Sequence, residues 1–133
     1  MEIPPADYQA IQELLARYCI ALDEHDIDGW VALFTPDARY EVFGQTFEGH
    51  DRLRRLISHA PRGLHLGGVP VIVTFDGARA TTKQNLLFAE TVSGEMRRTL
   101  YTDRLIRTSE GWRIAERRCQ FIVADGLSDR PDP

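Results

Sequence analysis

The hydrophobic pattern changes period once along the chain, and the change divides it into two parts. From Pro5 onward, Ile11, Leu14, Leu15, Tyr18 and Leu22 recur at i, i+3, i+4, i+7 and i+11, the stripe of an amphipathic helix, with Asp7, Gln9, Gln12, Glu13 and Arg17 on the other side. Pro4-Pro5 suits a first turn, where a missing N–H costs nothing, so the spacing predicts a helix to about Leu22–Glu24. Asp26 then reads as an N-cap accepting from the backbone N–H of Asp28 or Gly29. Ile27, Trp30, Val31 and Phe34 form the apolar face of a short second helix, ended at Thr35 because Pro36 disfavours a helical residue before it. A strand follows from Ala38, with Arg39 and Glu41 alternating with Tyr40 and Val42. Gly44-Gln45 turns it back into Thr46-Phe47-Glu48. Gly49–Ala60 predicts a third helix, with Leu53, Leu56 and Ile57 inward. Arg52, Arg54 and Arg55 lie outward, read with Arg62 as a solvated face.

After Gly63 the period becomes 2. His65–Phe75, Arg79–Thr91, Arg97–Arg107 and Trp112–Val123 read as long strands joined at Asp76-Gly77, Ser93-Gly94 and Ser109-Glu110-Gly111, an antiparallel meander. Residues 125–133 read as a flexible tail behind a single domain of residues 1–124. Helices first and a meander second predict an α+β fold. The expected form is a cone-shaped α+β barrel, with three N-terminal helices packed on a curved, mostly antiparallel sheet. Helices covering the hollow side of such a sheet leave a cavity at its wide end, a place for a small molecule.

Composition narrows the function classes. The chain of 133 residues fits one domain, 43 % of it apolar and 27 % charged. A net charge of −4 argues against nucleic acid as a partner. Cys19 and Cys119 sit in apolar segments without a CxxC partner and read as reduced core thiols, which points to the cytoplasm. No apolar run reaches the ~18 residues of a membrane span, and MEIPPADY lacks the layout of a signal peptide. His25, His50, His59 and His65 show no metal-ligand spacing, and GLHLGG lacks the GxGxxG pattern and leads into no helix. No metal and no cofactor is expected.

The segments IQELLARYCIALDEHDIDGWVALFTPDARYEV, GLHLGGVPVIVTFDGARA and LYTDRLIRTSEGWRIAERR resemble the SnoaL-like branch of the nuclear transport factor 2-like superfamily over roughly residues 5–124. That superfamily also holds ketosteroid isomerase, scytalone dehydratase, bile-acid dehydratase and a hexachlorocyclohexane dehydrochlorinase. The resemblance implies roles for individual residues. Asp23 matches the aspartate that ends the first helix of the dehydratase-like members, Tyr18 a tyrosine five residues earlier, and His65 a histidine opening the first long strand. In those enzymes the aspartate and histidine form a dyad whose histidine removes a proton from carbon. Scytalone dehydratase carries a second histidine on the next strand. Here that region reads TTKQNLLFAE, where Gln84 or Asn85 can offer hydrogen bonds but not general-acid chemistry. The departure bears on water elimination more than on proton abstraction.

The chemistry of these residue types agrees with such roles. A histidine with an ordinary pKa near ~6.5 is a neutral base at working pH, and a carboxylate on Nδ1 fixes its tautomer and stabilises the imidazolium. Spacing alone does not bring Asp23 to His65, and the plain alternative is a helix-hairpin cap and a surface strand residue. Tyr18 is a core tyrosine or an electrophile, and Tyr40 a weaker version of the same choice. Tyr101 and Asp103 share one face of their strand and Arg104 lies on the other, with no periodicity to say which is inward. Trp30 is core or pocket wall, and Asn85 is a polar candidate for substrate. The resemblance makes Arg118 a candidate for an anionic substrate group. The expected function is a cofactor-independent lyase or isomerase acting on a small hydrophobic carbonyl compound, in a homodimer. The alternatives are a non-catalytic binding protein for a hydrophobic molecule, or an assembly subunit like the small subunits of ring-hydroxylating dioxygenases.

Overall fold

A computed structural model describes residues 1–132. Helix α1 (Pro5–Asp23) buries Ile11, Leu14, Leu15 and Tyr18, as its stripe requires. Its first turn is tied to the far end of the sheet through Asp7, whose carboxylate accepts from the Arg107 guanidinium and from Trp112 Nε1. Asp26 caps the short α2 (Ile27–Val31), its Oδ1 accepting the Gly29 N–H at 2.9 Å.

Helix α2 is shorter than the sequence suggested, and β1 (Phe34–Val42) begins earlier. Phe34 is therefore a strand residue and Pro36 lies inside β1. Strand β1 runs parallel to β7 (Gly111–Val123), but their ladder is interrupted between Phe34 and Arg39. Pro36 falls in that gap, where its missing N–H forfeits no ladder bond. The tip of β1 turns through Phe43 and Gly44, both at positive φ, into the antiparallel β2 (Gln45–Glu48). This is the two-residue hairpin geometry that twisted strands favour. Helix α3 (His50–Ser58) follows, burying Leu53 and Ile57.

The expected strand His65–Phe75 is two strands, β3 (Gly63–Gly67) and β4 (Val71–Phe75), both antiparallel to β5 (Arg79–Glu90). Between them Gly68, Val69 and Pro70 stand against Gln84 and Asn85, one residue in excess. Such a bulge reverses which parity faces inward. His65 faces the helices from β3, whereas Ile72 is the buried residue in β4 and Val71 and Val73 are exposed. Strands β5, β6 (Met96–Thr108) and β7 continue as the antiparallel meander. The β4–β5 ladder has another irregularity at Val73, and a bulge at Ala115 lies between the pairs Leu105–Ile114 and Arg104–Glu116. The tail departs from expectation. Gly126–Ser128 forms β8 on the edge of β7, and Asp132 Oδ2 accepts the Ala124 N–H. Pro133, the last residue of that tail, lies outside the described residues.

The fold class is the expected α+β arrangement, three helices on a mostly antiparallel sheet. The strand order is β2-β1-β7-β6-β5-β3, so the described sheet has two edges and is open rather than a closed barrel. At the centre of its helix-covered face lies one fully buried ion pair. Arg117 donates from Nε and Nη2 to both oxygens of Asp103, at 2.7 and 2.6 Å, and neither side chain is exposed. The Arg117 guanidinium is stacked on the Tyr18 ring at 4.2 Å and the Tyr101 ring at 4.1 Å. Asp103→Ala leaves this cation unpaired, and urea denaturation is expected to show a loss of about 3–5 kcal/mol. The double variant Asp103→Leu with Arg117→Met is expected to recover most of that loss. An Asp103→Ala protein as stable as the wild type contradicts the account.

Candidate active site

Two elements remote in sequence meet at the end of α1. Asp23 is its last residue, and its Oδ1 accepts from His65 Nδ1 at 2.9 Å and from the His65 backbone N–H, also at 2.9 Å. A single oxygen thus holds both the main chain and the ring of one residue. Donation from Nδ1 fixes the neutral tautomer and leaves Nε2, on the other edge of the ring, as the basic nitrogen. The local sequence allows this approach. Gly63, two residues before His65, packs so closely on β5 that a Cβ there would lie 2.2 Å from the Ala89 carbonyl oxygen. Strand β3 can therefore settle against β5, and the His65 ring packs on Phe88 at 4.7 Å between centroids.

His65 lines a cavity of about 620 Å³ between the helices and the sheet, open to solvent at one side. Its innermost wall is aromatic. Trp30, Tyr18, Tyr40 and Tyr101 border it and are 1–6 % exposed. The Tyr18 hydroxyl lies 2.7 Å from that of Tyr40 and 3.5 Å from that of Tyr101. Burial raises the pKa of all three phenols, against the opposing charge of Arg117, so they remain neutral hydroxyl donors. Burial is also the largest influence on His65. It lowers the imidazole below its ordinary 6.5, outweighing the hydrogen bond and charge of Asp23, which raise it. His65 is accordingly uncharged at neutral pH. Asp23 stands behind it and is not itself on the cavity wall.

The other candidates divide by strand parity. Tyr101 and Asp103 are on the inner face of β6 and Arg104 on the outer, but Asp103 lies beneath the tyrosine rings in its pair with Arg117 and does not reach the cavity. Asn85 points outward, because Gln84, Leu86 and Phe88 are the inward residues of β5. Arg118 also points outward, near Glu41 at 3.8 Å and Asp129 at 4.0 Å. In β7 the bulge at Ala115 makes Arg117, Cys119 and Phe121 the inward set. Asn85, Asp103 and Arg118 therefore do not line this cavity, unlike the Tyr18, Trp30, Tyr40, His65 and Tyr101 side chains. Arg52 and Arg55 of α3, expected on a solvated face, are exposed but also border the cavity, as does Arg97 of β6, which the sequence reading did not single out. The available signal was spacing. Arg52, Arg55 and His59 fall at i, i+3 and i+7 along one helical face, and Arg97 shares its strand parity with Tyr101. Among the described residues no cluster of ligating side chains suits a metal, and no helix is long and apolar enough to cross a membrane.

This architecture, helices over an open sheet with an apolar cavity between, is that of the nuclear transport factor 2-like fold. A structure of such a protein from Novosphingobium aromaticivorans superposes with a TM-score of 0.77 at 27 % identity, covering 86 % of this chain and 80 % of the other. The chain belongs to the SnoaL-like domain family, which matches residues 5–118. A Mycobacterium tuberculosis protein of unknown function superposes with a TM-score of 0.80 at 30 % identity, covering 87 % of this chain and 76 % of that one. A putative scytalone dehydratase from Novosphingobium aromaticivorans DSM 12444 shares the fold, with a TM-score of 0.77 at 18 % identity over 87 % of this chain and 84 % of its own.

The two cysteines offer no nucleophile. Burial pushes the Cys119 thiol, on the cavity wall, up to about 12, and raises Cys19 as well. Native protein near neutral pH is expected to be inert to a disulfide-exchange reagent followed by absorbance, with both thiols reacting once the chain is unfolded in denaturant. Rapid reaction of either in the native state contradicts this picture.

Proposed function

We propose that the chain is a cofactor-independent enzyme of the lyase or isomerase type, abstracting a proton from a small hydrophobic carbonyl compound. The observation that carries this reading is the 2.9 Å contact between His65 Nδ1 and Asp23 Oδ1, with the imidazole on the wall of an apolar cavity. His65 Nε2 takes a proton from the carbon next to the substrate carbonyl. The electron pair of the broken C–H bond moves onto the carbonyl oxygen as an enolate. The imidazolium formed is stabilised by the Asp23 carboxylate, which is already hydrogen-bonded to it. Tyr18 supplies the electrophile. When Tyr40 donates to Tyr18 across their 2.7 Å contact, the Tyr18 proton is free to meet the developing oxyanion. The enolate then either expels a leaving group from the neighbouring carbon or regains a proton elsewhere, which is the difference between a lyase and an isomerase. The putative scytalone dehydratase of the same fold is compatible with the first outcome.

Hydrogen exchange tests the reading without the natural substrate. In D₂O the wild-type protein is expected to accelerate deuterium uptake next to the carbonyl of 2-tetralone, followed by NMR. His65→Ala is expected to lose about 10²–10⁴-fold of that acceleration, with circular dichroism unchanged. Tyr18→Phe is expected to lose less. Stabilisation of the protein by the ketone without any exchange points instead to a binding protein.

The pH dependence has a definite sign. Exchange is expected to fall as pH drops through the His65 pKa, which lies below 6.5. Removing the Asp23 charge takes away an influence that raises this pKa. The Asp23→Asn profile should therefore break at lower pH while its plateau also falls. A break moved upward contradicts the assigned pair.

A further inference from the structure

The outer part of the cavity carries a charge bias that proton transfer at His65 does not use. Arg52, Arg55 and Arg97 border the cavity, and among the described residues no aspartate or glutamate does. The whole chain has 20 acidic against 16 basic residues, so the local excess runs against the overall balance. Among the described residues none of the three has a carboxylate within ion-pair distance, whereas their neighbour Arg54, which does not border the cavity, is paired with Asp28. Arg97 is also positioned. Its guanidinium lies 5.7 Å from the centre of the Phe43 ring, a ring that packs on Phe121 at 5.0 Å and also has the Arg130 guanidinium at 5.9 Å. A guanidinium resting on an aromatic face keeps its N–H edge available for oxygen acceptors.

Exposure gives the cavity a direction. Tyr18 and Trp30 are each 1 % exposed at the inner wall, while Arg52 and Arg55 are exposed at the outer one. A ligand that fills the space has its apolar body against the aromatic rings and its outer end among unpaired cations. Unpaired cations beside a low-dielectric wall focus field on an anion entering there.

We infer that the ligand is an amphipathic acid, an apolar or aromatic carbonyl compound whose far end carries an oxyanion, carboxylate or phosphate, held between Arg52, Arg55 and Arg97. This rests on the reading of the cavity as a substrate site and names the substrate class, but it does not depend on which residue is the base. The reacting carbon lies beside His65 and the anion among the three arginines.

Isothermal titration calorimetry with 2-naphthylacetate, 2-naphthyl phosphate and the neutral 2-naphthylacetamide tests the inference. At least one anion is expected to bind about tenfold more tightly than the amide, and the tighter of the two identifies the group that the arginines hold. The triple variant Arg52→Gln, Arg55→Gln, Arg97→Gln is expected to abolish that preference while leaving amide affinity and circular dichroism unchanged. Arg54→Gln is expected to keep it. Equal affinity for all three probes in the wild type, no binding of any of them, or a preference that survives the triple substitution overturns the inference. His65→Ala separates the two readings, because it should retain the preference for the anion while losing proton exchange. Anion preference in a wild-type protein without exchange refutes only the proposed chemistry, and exchange without anion preference refutes only the present inference.

Discussion

The buried pair of Arg117 and Asp103 is the constraint around which the helix-covered side of the molecule is arranged. A cation with no exposure is tolerable only with a partner of matching geometry, and Asp103 supplies it from the adjacent strand with two parallel hydrogen bonds. The remaining faces of the guanidinium are covered by aromatic rings, Tyr18 from α1 and Tyr101 from β6. This arrangement fixes the inner wall of the cavity. The tyrosine hydroxyls are presented to it because their rings are engaged below, and α1 cannot rotate without uncovering the charge. Packing and polarity are therefore one requirement here, since the rings that exclude water from Arg117 are also those that carry the donors.

The dyad reaches the same cavity from another direction. Helix α1 is fixed at its start by Asp7 to Arg107 and Trp112 and at its end by Asp23 to β3. The chemistry proposed for His65 depends on a helix terminus meeting a strand 42 residues later. Nothing in the intervening spacing specifies that meeting. It follows from the docking of α1 across the sheet and from the glycine at position 63, which allows β3 to approach β5.

Much of the fold was legible because most segments obey a single period. Stripe, caps and turns located α1, the Asp26 cap and the meander. The misplacements fall where the period is broken locally. The bulge at Gly68–Pro70 divides one expected strand, and the interruption after Phe34 admits a proline into β1. The bulge at Ala115 decides the arginines. Strict alternation outward from the buried Trp112 and Ile114 puts Arg118 inside, whereas one additional residue puts Arg117 there. A bulge leaves no strong mark in a single sequence, since Ala115 resembles any small strand residue. The cavity arginines were obscure for a different reason. An arginine at the edge of an apolar helical face has the same spacing whether it faces solvent or a hollow.

The single oxygen that holds both the backbone N–H and the ring Nδ1 of His65 has a further consequence for motion. Proton binding and the burial of His65 are thermodynamically linked, because burial makes the imidazole harder to protonate than the contact with Asp23 makes it easier. Acidification therefore favours states in which the imidazole is solvated, and raising the pH through the window below 6.5 favours the folded state that buries it. The residue proposed to move protons is thus also a gauge of local breathing.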